Sequence, residues 1–166
     1  MVYLYSCAFS NCEMVSDAFP SKEMFNGTIL AVKSEVITVE AFKGDMGDAD
    51  EVVDQDERVN NIVHAFKYNE SKFTQAQFGA WLKPYVKRVG ERKWGDDPEN
   101  PDFANFKAGC QQFAKFVMGN FKDFEFYMNE ENDMDGALGM ACWEDPENDK
   151  GPTFYYLKDA LTKMKI

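Results

Sequence analysis

The chain has 166 residues and carries 29 acidic against 18 basic residues, a formal net charge of −11. This length suits one domain with a substantial hydrophobic core, and the charge argues against nucleic acid or an anionic membrane surface as a partner. The sequence contains no apolar run long enough to cross a membrane, and residues 1–8 lack the pattern of a signal peptide, so we expect a cytoplasmic monomer.

The N-terminal part of the chain predicts a run of β-strands. Val2–Phe9 alternates loosely between apolar and polar residues, as a strand with one buried face does. Asn26-Gly27 is typical of a tight hairpin turn, because both residues tolerate the positive φ of a type I′ turn. The segments that flank and follow this turn, Thr28–Lys33 and Glu35–Phe42, are rich in β-branched residues and are predicted as strands.

Residues 44–57 differ in composition from the segments before them. They contain the acidic residues Asp45, Asp48, Asp50, Glu51, Asp54, Asp56 and Glu57 and almost no aromatic or aliphatic side chain. Such a segment buries too little apolar surface to offset its ordering entropy, so we expect a mobile acidic loop. Val59–Tyr68 then returns to apolar character and is predicted as a strand.

Two amphipathic helices follow. Thr74–Lys93 has apolar residues at three- and four-residue spacing, with Thr74 as N-cap and Pro84 inside, where a kink is expected. A break rich in Gly and Pro separates it from the second helix, Asp102–Phe121. The short connection predicts an antiparallel αα-hairpin over residues 74–121.

The stretch from Phe121 to Asp145 predicts a β-hairpin. Apolar residues alternate with other residues in both arms, at Phe124, Phe126 and Met128 and again at Leu138, Met140 and Cys142. An acidic loop over residues 129–136 joins the arms, and Thr153–Leu157 adds a last strand. A helical pair inserted among antiparallel strands predicts an α+β fold, in one domain over residues 1–166.

The loop of this hairpin resembles part of a calcium-binding hand. Glu131, Asp133, Asp135 and Gly136 match positions one, three, five and six of the twelve-residue calcium loop. The twelfth position, where a bidentate Glu closes the site, is Cys142, and a strand follows where a helix is needed. An EF-hand is therefore rejected in favour of an acidic turn that binds calcium weakly, and no cofactor is expected to be required.

A cluster of cations stands out on the first long helix. Lys83 and Lys87 are four residues apart, as are Arg88 and Arg92, so each pair lies along one side of a helix. The helix macrodipole favours cations in the last turn but explains Lys83 and Lys87 poorly. These four residues, named here the basic face, are predicted to attract an acidic partner.

The cysteines and the histidine limit the chemistry that the chain can perform. The sequence has no C-x-x-C pair, which argues against a zinc knuckle or a thioredoxin-type site. Cys110 and Cys142 are expected to be buried, and Cys7 and Cys12 to be free thiols near a tight turn. His64, the single histidine, lies in an apolar run that favours a structural role. We therefore predict that the protein is not an enzyme.

Several motifs resemble the translationally controlled tumour protein family, also called histamine-releasing factor. They are Glu13-Met-Val-Ser-Asp17, Phe73-Thr74, the segment 120–128, Asp135-Gly136 and the segment 154–159. The resemblance covers nearly the whole chain and implies a β-tent core with a projecting helical hairpin and a flexible acidic loop. The chain departs from the family pattern at Asn129-Glu130, within residues 44–57, and on the first long helix at Ala80 and Pro84.

The resemblance also implies what the protein binds. It implies weak calcium binding, association with tubulin and microtubules, and contact with a small GTPase, for which Glu13 matches the implicated family glutamate. A plain solvated carboxylate is the alternative for Glu13. The alternative function is that of a guanine-nucleotide release factor or chaperone for a small GTPase. Methionine sulfoxide reductases share a related fold, but they need a nucleophilic Cys and commonly Cys pairs, and the sequence shows no Cys beside a base.

Overall fold

Eleven strands and three α-helices occupy the parts of the chain that the computed structural model describes, residues 2–39, 57–133 and 136–165. The strands are β1 (Tyr3–Cys7), β2 (Glu13–Ser16), β3 (Ser21–Met24), β4 (Ile29–Lys33), β5 (Val36–Val39), β6 (Glu57–Asn60), β7 (Asn69–Ser71), β8 (Phe124–Met128), β9 (Gly139–Cys142), β10 (Thr153–Leu157) and β11 (Leu161–Lys165). The helices are α1 (Asn61–Phe66), α2 (Gln75–Trp94) and α3 (Pro101–Gly119).

The strands pair only in antiparallel fashion within these ranges. One sheet has six strands in the order β3-β4-β10-β9-β8-β7, a second has the order β11-β1-β2, and β5 pairs with β6. The hairpin predicted within Phe121–Asp145 is β8–β9, with Phe124 opposite Cys142 and Phe126 opposite Met140. Helices α2 and α3 are inserted between the neighbouring strands β7 and β8. The predicted α+β fold with antiparallel sheets is confirmed.

The hairpin turn between β3 and β4 has the predicted geometry. Asn26 and Gly27 have φ values of 57° and 82°, and the Thr28 N–H donates to the Phe25 carbonyl at 3.2 Å. These are the features of a type I′ turn, whose twist matches that of the flanking strands.

Side-chain caps fix where the long helices begin. The Thr74 hydroxyl accepts from the Gln77 N–H at 3.1 Å, and the Gln77 side chain accepts from the Thr74 N–H at 2.9 Å, which completes a capping box. Asn100 caps α3, and Pro101 occupies its first position, where a missing N–H costs nothing. No helix in the described residues is long and apolar enough to span a lipid bilayer.

Aromatic side chains fill the interior. Helix α3 packs on the six-stranded sheet through Phe116, whose ring centre lies 5.5 Å from that of Tyr155. Helix α2 packs on the same sheet through Phe78, 5.2 Å from Phe126. A fully buried ring such as that of Phe78 contributes about 1.5–3 kcal/mol relative to exposure, and the half-buried ring of Phe116 contributes less, so packing accounts for the aromatic stripes of both helices.

The strand predicted over Val59–Tyr68 is wrong beyond Asn60. The Asn60 side-chain oxygen accepts from the N–H groups of Ile62 and Val63, at 3.0 and 3.1 Å, and thereby starts α1. Asn is among the strongest N-caps, and this local signal prevails over the apolar run that suggested a strand. Lys67, with φ of 56°, ends the helix.

Three strands lack a clear sequence signal, namely β2, β3 and β11. Strand β11 pairs with β1 along its whole length, from Tyr3 opposite Lys165 to Cys7 opposite Leu161.

Residues 44–56 of the predicted acidic loop lie outside the described residues. Its last predicted residue, Glu57, belongs to β6 instead.

Candidate functional site

The basic face occupies the C-terminal half of α2. The opposite, apolar side of the helix fixes its orientation by burying Phe78, Leu82, Tyr85 and Val89. Lys83, Lys87 and Arg92 are exposed, whereas Arg88 is half-buried. The Arg88 guanidinium carbon lies 4.2 Å from the centre of the Phe9 ring, a cation–π contact that holds it against the turn after β1. Three of the four predicted cations therefore face solvent, and the fourth contacts the body of the protein.

Arg92 also lines a cleft of about 600 Å³ beside β11. The other charged residues of this cleft are Lys93, Lys158, Lys163, Asp159 and Glu23. Lys93 pairs with Asp159, and Lys158 pairs with Glu23. Arg92 has no ion-pair partner among the residues that the structure describes. The cleft brings together cations that are far apart in sequence, which no local pattern predicts.

Glu13 begins β2 and is exposed. It lines a cleft of about 370 Å³ together with Cys12, Lys67 and Glu131. Two residues of the cleft, Asn11 and Lys67, have φ values of 63° and 56°, a region that few residues other than Gly adopt. The candidate GTPase contact and one candidate calcium ligand, Glu131, therefore share one cleft.

Two of the three candidate calcium ligands, Glu131 and Asp133, lie in the loop after β8, and Asp135 lies outside the described residues. Asn129 orders this loop, because its side-chain oxygen accepts from the N–H groups of Glu131 and Asp133 at 3.1 and 3.0 Å. The Glu131 carboxylate accepts from the Cys12 thiol at 3.5 Å. Across the described ranges, no group of three His, Cys, Asp or Glu side chains is arranged to hold a metal ion.

All four cysteines are free thiols, and the surroundings of Cys12, Cys110 and Cys142 disfavour reactivity. Partial burial and the neighbouring Glu131 carboxylate raise the pKa of Cys12. Burial raises the pKa of Cys110 to about 12 and also raises that of Cys142. A raised pKa keeps a thiol protonated and weakly nucleophilic at neutral pH.

His64, expected in a structural role, is exposed on α1.

Known proteins are similar to this chain in sequence and in fold. The family model described as translationally controlled tumour protein matches residues 2–162. The homologue from Yarrowia lipolytica is 33% identical, covering 98% of this chain and 99% of its own, and homologue 1 from Dictyostelium discoideum is 31% identical, covering 95% and 94%. The structure of p23fyp, a translationally controlled tumor-associated protein from Schizosaccharomyces pombe, covers 99% of both chains at 28% identity, with a TM-score of 0.82. The Caenorhabditis elegans structure, with a TM-score of 0.74 at 22% identity, shares the fold.

Proposed function

Because this chain belongs to the translationally controlled tumour protein family, we propose that it is a non-enzymatic binding protein of the cytosol that associates with microtubules through its basic face. The observation that carries this proposal is the exposure of Lys83, Lys87 and Arg92 along one helix of a chain with net charge −11. The acidic tails of tubulin are the partner segment whose charge complements this helix. The free state of all four cysteines agrees with a reducing compartment.

Co-sedimentation with microtubules tests this function. We expect Lys83→Glu/Lys87→Glu to keep its fold, since both residues are exposed, and to lose most binding. Two attractive contacts are removed and two repulsive ones added, and at roughly 0.5 kcal/mol each this amounts to about 2 kcal/mol, or about thirtyfold in Kd. Wild-type binding should also weaken as added salt shortens the Debye length.

Lys115→Glu/Lys122→Glu is the matched control, because it makes the same change in net charge at exposed lysines on and after α3. It should pellet with microtubules much more than the Lys83/Lys87 variant does. Equal pelleting of wild type and the folded Lys83→Glu/Lys87→Glu variant at low salt contradicts the proposal.

A second candidate function is nucleotide release from a small GTPase, or chaperoning of one. It is supported by the position of Glu13, which is exposed at the rim of a cleft rather than in an isolated turn. The test is release of fluorescent GDP from purified small GTPases. We expect Glu13→Lys to abolish any acceleration, while Glu147→Lys, the same change at an exposed turn residue, leaves it intact. Equal acceleration by both variants excludes Glu13 as the contact.

Calcium binding is proposed to be weak and diffuse. Glu131 and Asp133 supply carboxylates, and Glu131 is already engaged by Cys12. Without a complete set of closing ligands, we expect dissociation constants no tighter than about 10⁻⁴ M by titration calorimetry. A submicromolar site, or loss of all binding in Asp135→Ala, contradicts this part of the proposal.

The non-enzymatic part of the proposal is tested against the reaction found on related folds. The raised pKa values of Cys12, Cys110 and Cys142 disfavour a thiolate nucleophile. We expect the purified protein to leave methionine sulfoxide unreduced in the presence of dithiothreitol. Multiple turnovers contradict this expectation.

A further inference from the structure

A groove of about 530 Å³ lies between the end of β7 and the flank of α2, and neither Lys83 nor Lys87 lines it. Its apolar floor includes Phe73, Ala80, Trp81 and Pro84. This volume is within the range typical of ligand sites, and the groove is open along the helix.

The groove exists because two small or short side chains follow one another along the helix flank. Ala80 and Pro84 are four residues apart, so they lie one above the other, and both are exposed. Beside them, Trp81 stacks on Tyr85 with ring centres 4.6 Å apart and planes at 22°. This stack gives the groove a rigid aromatic wall, since Tyr85 is 2% exposed and Trp81 8% exposed.

Pro84 adds apolar surface to the groove. A proline has no backbone N–H, so position 84 gives the Ala80 carbonyl no helical hydrogen bond, and the proline ring stands where that N–H would point. The exposed ring of Pro84 therefore continues the apolar surface of Trp81 along the flank of α2.

The charge of the groove selects among peptides. None of its lining residues is acidic, although the whole chain carries 29 acidic residues. Lys72 lies at one end, before the helix begins, and Arg88 lies at the other, held over the Phe9 ring. Helix α2 advances roughly 16 Å from Gln77 to Arg88 at 1.5 Å per residue. About five residues of extended peptide span this length at roughly 3.3 Å each.

We propose that this groove binds a short, extended, acidic segment of a partner protein. An aromatic or large aliphatic side chain of the segment packs over Ala80, Trp81 and Pro84, and flanking carboxylates pair with Lys72 and Arg88. This inference goes beyond the proposed function, because neither Lys83 nor Lys87 lines the groove and the bound segment need not belong to a microtubule.

The probe is a fluorescein-labelled heptapeptide of sequence EESFSEE, with binding followed by fluorescence anisotropy. Two control peptides separate the contribution of the apolar side chain from that of the charges. EESGSEE lacks the apolar anchor, and KKSFSKK reverses the charges. We expect measurable binding of EESFSEE, binding at least about tenfold weaker for EESGSEE, and no binding of KKSFSKK. Binding should weaken as salt rises, because the end contacts are ionic.

Matched variants locate the site. Ala80→Glu fills the groove and adds a like charge, so we expect it to weaken EESFSEE binding at least about tenfold. Ala104→Glu makes the same substitution at an exposed position of α3 outside the groove and should bind within about twofold of wild type. Lys72→Glu should weaken binding and reduce its salt dependence. Circular dichroism checks that each variant is folded.

Several results overturn the inference. They are absence of EESFSEE binding, equal binding of EESGSEE, unchanged binding by folded Ala80→Glu, and an equal loss in Ala104→Glu. Lys83→Glu/Lys87→Glu leaves every lining residue in place, so it should still bind EESFSEE more tightly than EESGSEE. The preference for the apolar anchor therefore tests the groove separately from Lys83 and Lys87, while Arg88 belongs to both surfaces.

Discussion

Gly109, in the middle of α3, is the point where this helix approaches the β3–β4 turn most closely. A Cβ atom at this position would lie 2.1 Å from Thr28 Oγ1, 2.6 Å from Thr28 Cβ and 3.0 Å from the Phe25 carbonyl oxygen. Thr28 is 2% exposed and cannot swing out to solvent. Gly109→Ala therefore forces the helix and the turn apart, and we expect it to destabilise the fold.

Two opposing effects set the magnitude. Replacing Gly by Ala inside a helix ordinarily stabilises by about 1 kcal/mol. Overpacking of a well-filled interior typically costs about 1–3 kcal/mol, and here the overlap is with a Cβ atom and a backbone carbonyl, which yield little. The overpacking cost therefore lies in the upper half of this range, about 2–3 kcal/mol. After the gain of about 1 kcal/mol is subtracted, we expect a net loss of about 1–2 kcal/mol in the free energy of unfolding, or roughly 2–8 °C in Tm for a domain of this size.

Urea unfolding followed by circular dichroism measures this loss. Gly119→Ala, at the end of the same helix, is the matched control: a Cβ there meets no atom within 4 Å, so this variant should be as stable as wild type or more so. Thr28→Gly removes the obstructing side chain, and the double variant should lose less than the sum of the two single changes. A Gly109→Ala protein as stable as wild type refutes the reasoning.

Two further predictions concern polar groups whose surroundings favour one state. Partial desolvation, aided by the neighbouring Glu70 carboxylate, raises the pKa of Glu125, so the folded state favours its protonated form. Stability is therefore lost as pH rises from the unfolded-state pKa of Glu125 through its folded-state pKa. Glu125→Gln should raise the urea midpoint at pH 7 but not at pH 4. A lower midpoint for this variant at pH 7 contradicts the prediction. The Tyr68 hydroxyl donates to the Met14 carbonyl and forms a hydrogen bond with the Tyr156 hydroxyl at 2.8 Å. Tyr68→Phe leaves both of these buried partners unpaired and should lower the free energy of unfolding by about 2–4 kcal/mol. Tyr156→Phe removes only the bond between the two hydroxyls and should lower it by about 1 kcal/mol. Equal or reversed losses in urea unfolding contradict this hydrogen-bond assignment.

The contrast between β8 and β2 shows which parts of the fold the sequence predicts. In β8, Phe124, Phe126 and Met128 are buried, while Glu125 between them is exposed, so one covered face produces the alternation. In β2, a register shift at Met14 interrupts the alternation, and the adjacent residues Val15 and Ser16 are both buried, so the strand is covered on both sides. Burial on both faces removes the period-two signal, and no pattern in four residues replaces it.

The candidate sites also differ in how far the sequence alone predicts them. The exposure of Lys83 and Lys87 follows from helical periodicity, because the apolar residues of α2 determine which side is buried. The contact between Arg88 and Phe9 joins residues far apart in sequence, and the groove needs both α2 and the end of β7. Such features depend on tertiary packing and become visible once the strands and helices are assembled.

A net charge of −11 suggests that the protein repels acidic partners. The positions of the charges explain how α2 can nevertheless attract an acidic segment. Charges separated by more than a Debye length, about 8 Å at physiological ionic strength, contribute little to an interaction between exposed groups. A partner segment in contact with α2 therefore interacts mainly with the charges nearest to it. On the basic face these are Lys83, Lys87 and Arg92, and along the groove they are Lys72 and Arg88. The local distribution of charge, rather than its sum, decides which partner the helix attracts.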